Sequence, residues 1–316
     1  MSKHFLKYYT IIGLSIIIVG AVILYRILPT AKPYEAKVDP TVWDVPYTNL
    51  LPNSPEADQI RYGKELIVNT SHYLGPNGIV AHLTNGMNCN NCHLDGGTRL
   101  DANCFALVAS TYPKYRPRSG RIESVEYRIN ECMERSLNGE RLDSLSKEMK
   151  AMKAYIVWLG ASVKKDAKLK GMGIPDIPTL NRAASPENGA KVYAANCGRC
   201  HGPGGQGIAN NETGGYTYPP LWGPNSFNTS AGMLRISRLA GYIKFNMPYT
   251  PEKSTPQFSD EDSWDVAAFV SSQPRPQKFF SYDWPDISKK PADFPFGPYK
   301  DSLSEERHKY GPWVKK

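Results

Sequence analysis

The amino-acid sequence predicts an all-α protein: two small helical domains in tandem, one hydrophobic segment before them and an extended tail after them. Four observations predict this architecture. The chain has 316 residues, enough for two domains. A five-residue cysteine–histidine motif begins at Cys89 and occurs again at Cys197. An apolar run stands near the N-terminus, and 26 glycines and 26 prolines indicate long loops between few helices.

Composition shifts and helix signals set the expected boundaries. We expect a segment at 1–30, a tether at 31–53, a first domain at 54–165, a linker at 166–183, a second domain at 184–276 and a tail at 277–316. The linker contains several glycines and prolines. The tail is rich in proline and aromatic residues, so we expect it to pack over the domains as a strap rather than to be disordered.

The N-terminal segment is typical of a membrane anchor. Residues 8–25 are uncharged and mainly apolar, which is close to the length that spans a bilayer and longer than a usual signal-peptide core. Pro29 disrupts the one candidate cleavage site before Ala31. We therefore expect an uncleaved single-pass helix, with a cleaved signal peptide as the alternative.

Helix signals recur in both domains. Pro55 opens a helical stretch over 56–69, and a second one over 143–160 ends at Gly160. In the second domain Ser185 and Pro186 form an N-cap and first-turn pair, and that helix continues to Cys197. A last helix is expected over 260–272, and residues 122–137 also have helical character.

The repeated motif is C-x-x-C-H, the attachment signature of c-type haem. It comprises Cys89, Cys92 and His93 and, in the second domain, Cys197, Cys200 and His201. The cysteines would form thioethers and the histidines would bind the two irons. Zinc sites or redox dithiols are the alternative, but neither motif has further Cys or His ligands at short spacing. The order of helix, motif, long loops and closing aromatic helix resembles the cytochrome c domain, twice. Haem of this type is attached outside the cytoplasm, so we expect the body to face the periplasm.

The second axial ligand distinguishes an electron carrier from a catalyst. In the second domain Met247 precedes a proline in an apolar loop before the last helix, the usual ligand position in cytochrome c, and Met233 is the competing candidate. The first domain has no such Met-Pro pair. Its candidates are Cys104, Cys132, Met133, Met149, Met152, His72 and His82.

Cys104 and Cys132 remain once four cysteines are assigned to thioethers. They could form a disulfide with each other or be buried inert thiols. Arg128, Cys132 and Ser136 stand four residues apart in turn, on one face of a helix. A guanidinium one turn from a thiol favours the thiolate, which binds iron and is a nucleophile. Arg118 could add a second guanidinium group, which can bind an oxyanion through two hydrogen bonds. A solvated basic helix with a buried cysteine is the alternative.

The sequence resembles the dihaem thiosulfate dehydrogenases over nearly everything after the N-terminal segment. The resemblance rests on CNNCHLDGG, on RINECMERSLNG, on CGRCHG with NMPY, and on FPFGPYKD in the tail. It implies that two thiosulfate ions couple to tetrathionate, or the reverse, and that two covalent haem c groups carry the electrons to an external acceptor. It also implies that Cys132 is the distal ligand of the first haem and the site of catalysis, and that Arg118, Arg128 and Ser136 belong to the active site.

The formal charge of +8 fits an anionic substrate or a membrane surface, and no nucleic-acid-binding module is visible. A solvated basic face is the alternative interpretation. A membrane-anchored dihaem electron carrier without a substrate of its own is the alternative function. Such a carrier has no use for an arginine-bearing cysteine helix.

Overall fold

A computed structural model describes residue 39 and residues 41–313, apart from 213, 251 and 253–256. The predicted anchor at 1–30 and the first part of the tether lie outside the described residues. Within the described part, no helix is both long enough and apolar enough to cross a bilayer.

Six helices of eleven or more residues organise the described part of the chain. They are α1 (Pro55–Val68), α2 (Val125–Arg135), α3 (Lys147–Leu159), α4 (Pro186–Asn196), α5 (Ile236–Asn246) and α6 (Asp260–Ser272). Shorter helices are Thr70–Leu74, Leu94–Gly97, Val108–Thr111, Gly198–His201 and Glu305–Tyr310, with 3-10 turns at Thr48–Leu50, Cys89–Asn91, Gly232–Leu234 and Ile287–Lys289. Two antiparallel hairpins pair β1 (Lys114–Arg116) with β2 (Arg121–Glu123) and β3 (Ile208–Asn210) with β4 (Gly215–Tyr218).

The first domain is built on the crossing of α1 and α3. Ser54 caps α1 by accepting a hydrogen bond from the Ala57 amide, and Pro55 occupies the first turn. At the crossing, a Cβ on Gly63 would lie 2.0 Å from the carbonyl oxygen of Ala151. Glycine is therefore what lets the two backbones touch there.

The second domain repeats this crossing with α4 and α6. Ser185 caps α4, and a Cβ on Gly189 would lie 1.9 Å from the carbonyl oxygen of Asp265. Helix α5 also packs against α6, and the core of this domain includes the fully buried Trp264. The same close helix contact thus supports both domains.

Most of the expected helices are confirmed, with shifted boundaries. The last helix spans Asp260–Ser272 as expected, whereas α3 begins at Lys147 because Ser146 caps it. The expected helix over 122–137 is wrong at its start, since residues 121–123 form a strand and Ser124 then caps α2. Helix α5 and both hairpins were not expected from the sequence.

The tail packs on both domains. The Trp284 amide donates to the carbonyl oxygen of Arg118 in the first domain at 2.6 Å, and the Lys278 amide donates to Thr229 Oγ1 in the second at 2.9 Å. Farther along, the Ala184 amide donates to the carbonyl oxygen of Tyr310 at 2.8 Å. The described part of the tail is ordered against the body, as expected, but it also contains the short helix Glu305–Tyr310.

The two domains meet beside the first cysteine–histidine motif. Tyr242 Oη, on α5, donates to the carbonyl oxygen of Asn91 at 2.8 Å, within the motif itself. Asn246 Nδ2, immediately before Met247, donates to the carbonyl oxygen of Asp101 at 2.9 Å. The segment that carries Met247 is therefore tied to the loop that follows His93.

Candidate functional site

The first motif folds into a tight turn that fixes its histidine. The His93 amide donates to the carbonyl oxygen of Cys89 at 3.0 Å, which places the ring directly after the cysteine pair. His93 Nδ1 lies 2.6 Å from the carbonyl oxygen of Asn103, so it carries the proton and leaves Nε2 free to bind iron. Burial lowers the pKa of His93 to about 4, which keeps the ring neutral.

A cavity of about 370 Å³ adjoins this histidine. Its wall is largely apolar and sulfur-bearing, with Met87, Phe105, Ile129, Met152 and Ile156 opposite Cys89, Cys92 and His93. Apolar walls, two thiols at the C-x-x-C spacing and an oriented imidazole are what a covalently attached haem requires. The residues present therefore fit the first haem.

The second motif has the same internal geometry. The His201 amide donates to the carbonyl oxygen of Cys197 at 2.9 Å, and His201 Nδ1 lies 2.9 Å from the carbonyl oxygen of Pro219. Burial lowers the pKa of His201. Met247 ends α5 and packs against the apolar core of this domain, as does Met233. These residues fit a second haem, with Met247 available as the predicted second ligand.

Neither motif has the surroundings of a zinc site. Among the described residues, no group of three or more His, Cys, Asp and Glu side chains is close enough to hold a metal ion. Cys104 and Cys132 are free thiols, so the disulfide alternative does not describe this structure. Instead, Cys104 Sγ lies 3.4 Å from Met172 Sδ.

Helix α2 brings three predicted site residues to one place. Arg128 and Cys132 lie on the helix and Ser136 caps its end, where the Ser136 amide donates to the carbonyl oxygen of Cys132 at 2.9 Å. All three line the haem cavity described above. The electrostatic interaction with Cys132 is the main cause that raises the pKa of Arg128, ahead of the opposing effect of burial. Cys132 thus has a guanidinium beside it, as the spacing predicts.

Arg118 reaches the same region from the loop between β1 and β2. Its Nε donates to Asp283 Oδ2 at 2.9 Å and its Nη2 to the carbonyl oxygen of Ser230 at 2.7 Å. Burial, followed by the charge of Arg135, lowers the pKa of Arg118 to about 10. The predicted guanidinium group is therefore held by the tail and by the second domain.

Arg135 is a site residue that sequence reasoning missed. Its side chain is 2% exposed and binds both carboxylate oxygens of Asp283, at 2.8 Å each, while Glu131 lies 3.3 Å away. The guanidinium also stacks 4.0 Å above the Phe280 ring. Asp283 and Phe280 belong to the tail, far from Arg135 in sequence, so no local spacing could have indicated this cluster.

A second cavity, of about 420 Å³, lies at the junction of both domains and the tail. The two spaces are continuous between His93 and Cys132, and the residues that line both are Cys92, His93, Asn103, Arg116, Arg128, Cys132 and Ser136. The residues that line the second cavity but not the first include five cations: Arg118, Arg135, Arg235, Arg238 and Lys289. Glu131 is the acidic residue in its lining among the described residues. We call this space the anion cavity, because its charge favours anions.

Comparison with known proteins agrees with this geometry. Residues 81–163 match the family model "SoxA/TsdA, cytochrome c domain" and residues 186–274 match the family model "Cytochrome c". The chain is 40% identical over 247 residues to a thiosulfate dehydrogenase from Allochromatium vinosum, covering 77% of this chain and 88% of that protein. It is 35% identical to a thiosulfate dehydrogenase from Stutzerimonas stutzeri, covering 72% and 71%.

A solved structure is similar as well. The thiosulfate dehydrogenase TsdBA from Marichromatium purpuratum, in its as-isolated form, superposes with a TM-score of 0.70 at 30% identity. The match covers 82% of this chain and 54% of that one, so this chain spans about half the length of the solved relative. Two cytochrome c domains in tandem, each with its own C-x-x-C-H motif, hold two covalently bound haem c groups.

Proposed function

This chain belongs to the dihaem thiosulfate dehydrogenase family, and from that membership we propose that it joins two thiosulfate ions into tetrathionate at Cys132. The observation that carries the proposal is the position of Cys132. Its side chain lines both the haem cavity and the cation-lined anion cavity. A soft sulfur nucleophile therefore stands where an anionic sulfur substrate and an electron acceptor meet.

The sulfur chemistry balances with Cys132 as the exchange site. The Cys132 thiolate and the outer sulfur of one thiosulfate form a sulfur–sulfur bond, and two electrons leave. The outer sulfur of the second thiosulfate then attacks the sulfur bound to Cys132 and releases the thiolate, as in thiol–disulfide exchange. The product is tetrathionate, with a charge of −2, from two dianions and the loss of two electrons.

The arginines and the serine hold the reacting sulfonate. Arg128 and Arg118 reach the anion cavity from two sides, and a guanidinium fork matches the oxygens of a sulfonate. Ser136, one turn beyond Cys132, adds a hydroxyl donor to the same lining. Glu131 Oε2 accepts from Arg128 Nη1 at 3.1 Å, which fixes the guanidinium next to the thiol. The negative charge of the substrate is thus neutralised where the new bond forms.

The two covalent haems would supply one-electron acceptors and would pass the electrons to an external acceptor. The tie between the Met247 segment and the loop after His93 brings the two haem-binding segments together. We take the second haem site, with His201 and Met247, to be the site from which the electrons leave the protein. The competing function is a dihaem electron carrier without a substrate, and the cations around Cys132 argue against it.

The decisive experiment is a thiosulfate-dependent reduction of an artificial one-electron acceptor, run in both directions. Cys132→Ala should reduce the rate at least about 1,000-fold with both haems still attached, because it removes the covalent site. The matched control is Cys104→Ala, which removes a thiol that lines the haem cavity but not the anion cavity. Its sulfur packs against Met172, so the rate should stay within a factor of two. Full activity in Cys132→Ala would contradict catalysis at Cys132 and would favour a dihaem electron carrier without a substrate.

The location of the protein is a further part of this proposal. Residues 8–25 carry no charge and have about the length that spans a bilayer, and covalent haem c is attached outside the cytoplasm. We therefore place residues 1–30 in the cytoplasmic membrane as an anchor, with the body in the periplasm. Extraction of membranes at alkaline pH tests this: an anchored protein stays in the pellet, whereas a cleaved one is released with the periplasmic fraction.

A further inference from the structure

We propose that the anion cavity holds a second sulfonate subsite, built by Arg235, Arg238 and Lys289 away from Cys132. This inference rests on the proposed function and names where the second thiosulfate, or the far sulfonate of tetrathionate, binds. Arg235 and Arg238 come from the second domain and Lys289 from the tail. The subsite would therefore make the second domain and the tail part of substrate binding.

The chemistry requires more cationic charge than the Cys132 helix offers. Each thiosulfate is a dianion, and two dianions a few ångströms apart repel strongly in a partly dehydrated cavity. Arg128 and Arg118 neutralise one of them. A second set of cations, away from Cys132, lets both anions occupy the cavity together. Both must be bound at once because their two outer sulfurs are joined.

The cavity is divided in the way such a pair of subsites requires. Arg116 and Arg128 line both the haem cavity and the anion cavity, and thus flank Cys132. Five cations line the anion cavity alone: Arg118, Arg135, Arg235, Arg238 and Lys289. Asp283 binds Arg118 and Arg135, whereas Arg235, Arg238 and Lys289 form a separate group from the second domain and the tail.

Arg235 is the fixed member of the distal group. Its Nε and Nη2 donate to Asp293 Oδ1 at 2.9 and 2.6 Å, and Asp293 is 6% exposed. The Ser237 hydroxyl also binds this carboxylate. A guanidinium held by a buried carboxylate has a set position before any ligand binds, which lowers the entropic cost of binding.

Arg238 and Lys289 are the adaptable members. The side chain of Arg238 is 36% exposed, and its ion pair with Asp176, at 3.3 Å, involves a carboxylate that is 78% exposed. Lys289 and Asp286 lie 3.6 Å apart, and both side chains are 48% exposed. Exposed pairs of this kind contribute little, so both cations can turn to a substrate without losing a strong partner.

The test measures tetrathionate binding to the fully oxidised holoprotein by calorimetry. Without electrons the ligand cannot be reduced, so the signal reports binding alone. The variant is Arg238→Gln with Lys289→Gln. We expect tetrathionate to bind about tenfold or more weakly, since two charge-assisted contacts are lost, and the thiosulfate KM to rise with a smaller change in kcat.

Two further proteins make the result decisive. Arg61→Gln with Lys309→Gln removes the same charge elsewhere, from residues that also hold one ion pair each, and should bind as wild type does. Arg238→Lys with Lys289→Arg keeps the charge and should restore most of the affinity. Wild-type affinity in the double glutamine variant, with wild type active, overturns the subsite but not the proposed function. If wild type neither binds tetrathionate nor oxidises thiosulfate, the proposed function fails and the subsite with it.

Discussion

Asp283 of the tail accepts two hydrogen bonds from Arg135 of helix α2, each 2.8 Å long. The same carboxylate accepts from Arg118 Nε at 2.9 Å. One carboxylate thus compensates two buried guanidinium groups, both of which line the anion cavity. A residue near the C-terminus therefore sets the shape of a site whose reactive sulfur lies in the first domain.

Asp283→Asn should destabilise the protein and weaken substrate binding together. The change leaves two cations with less negative charge in a buried environment, a loss of about 3–5 kcal/mol for a broken buried pair. Arg118 also loses the partner that orients it, so we expect the thiosulfate KM to rise about tenfold. Urea unfolding and steady-state kinetics measure the two effects.

The control for Asp283 is Glu305→Gln, which breaks an exposed tail ion pair with Lys309. Such a pair is worth about 0–1 kcal/mol, so stability and KM should hardly change. Equal behaviour of the two variants would show that Asp283 does not position the arginines.

Tyr242→Phe tests the contact between the domains. The hydroxyl of Tyr242 donates to the carbonyl oxygen of Asn91, and its ring packs among Leu94, Ala102 and Ile174. The variant keeps the ring but leaves a carbonyl unpaired, which should cost about 1–3 kcal/mol of unfolding free energy. Tyr249→Phe, whose hydroxyl binds Asp95 near the surface, is the control. If both variants lose the same unfolding free energy, the hydrogen bond to Asn91 contributes no more than a hydrogen bond near the surface.

The buried carboxyl of Glu123 predicts a pH dependence of stability. Glu123 lies on β2 and accepts from Ser119 Oγ at 2.6 Å. Its pKa is raised by burial first, and Glu131 adds to the shift, whereas Ser119, Arg128 and Arg116 oppose it. The Glu123 carboxyl therefore ionises at a lower pH in the unfolded chain than in the folded protein.

Because the folded pKa is the higher one, this group lowers stability as pH rises from about 4.5 toward the folded pKa, and the loss is constant above it. Glu123→Gln cannot ionise, so the difference in unfolding free energy between variant and wild type should shift in favour of the variant over that interval. Melting temperatures measured every half pH unit give the curve. A difference that does not vary with pH would contradict a raised pKa.

The sequence predicted the parts of the site that local spacing determines. The C-x-x-C-H turns, the serine caps and the succession of Arg128, Cys132 and Ser136 along α2 each depend on residues a few positions apart. The fixed geometry of a turn or helix converts such spacing directly into a position in space. These features could be predicted because no distant partner decides them.

The remainder depends on contacts between distant segments. Asp283 lies far from Arg118 and Arg135 in sequence, and Arg238 and Lys289 line the same cavity as Cys132 only when domains and tail pack. Helix α5 was missed because it has no side-chain N-cap to mark its start and because Gly241 lies within it.

Met247 remains the predicted second ligand of the second haem, and Met233 remains the alternative. The structure gives the two residues different surroundings. Met233 lines the anion cavity with Cys132, whereas Met247 ends α5 with its amide bonded to the carbonyl oxygen of Ile243 at 3.0 Å. Met247→Ala should abolish the sulfur-to-iron charge-transfer band and lower the potential of one haem by on the order of 0.1 V, because methionine ligation raises it.

Met233→Ala should keep both the band and the potential, and should instead alter thiosulfate kinetics through the cavity it lines. Spectra of the oxidised proteins and a redox titration of each variant separate the two residues. Loss of the band in Met233→Ala, with Met247→Ala unchanged, would move the ligand from the end of α5 to the turn before it. That outcome would place a haem ligand on the wall of the anion cavity and would require a different exit for the electrons.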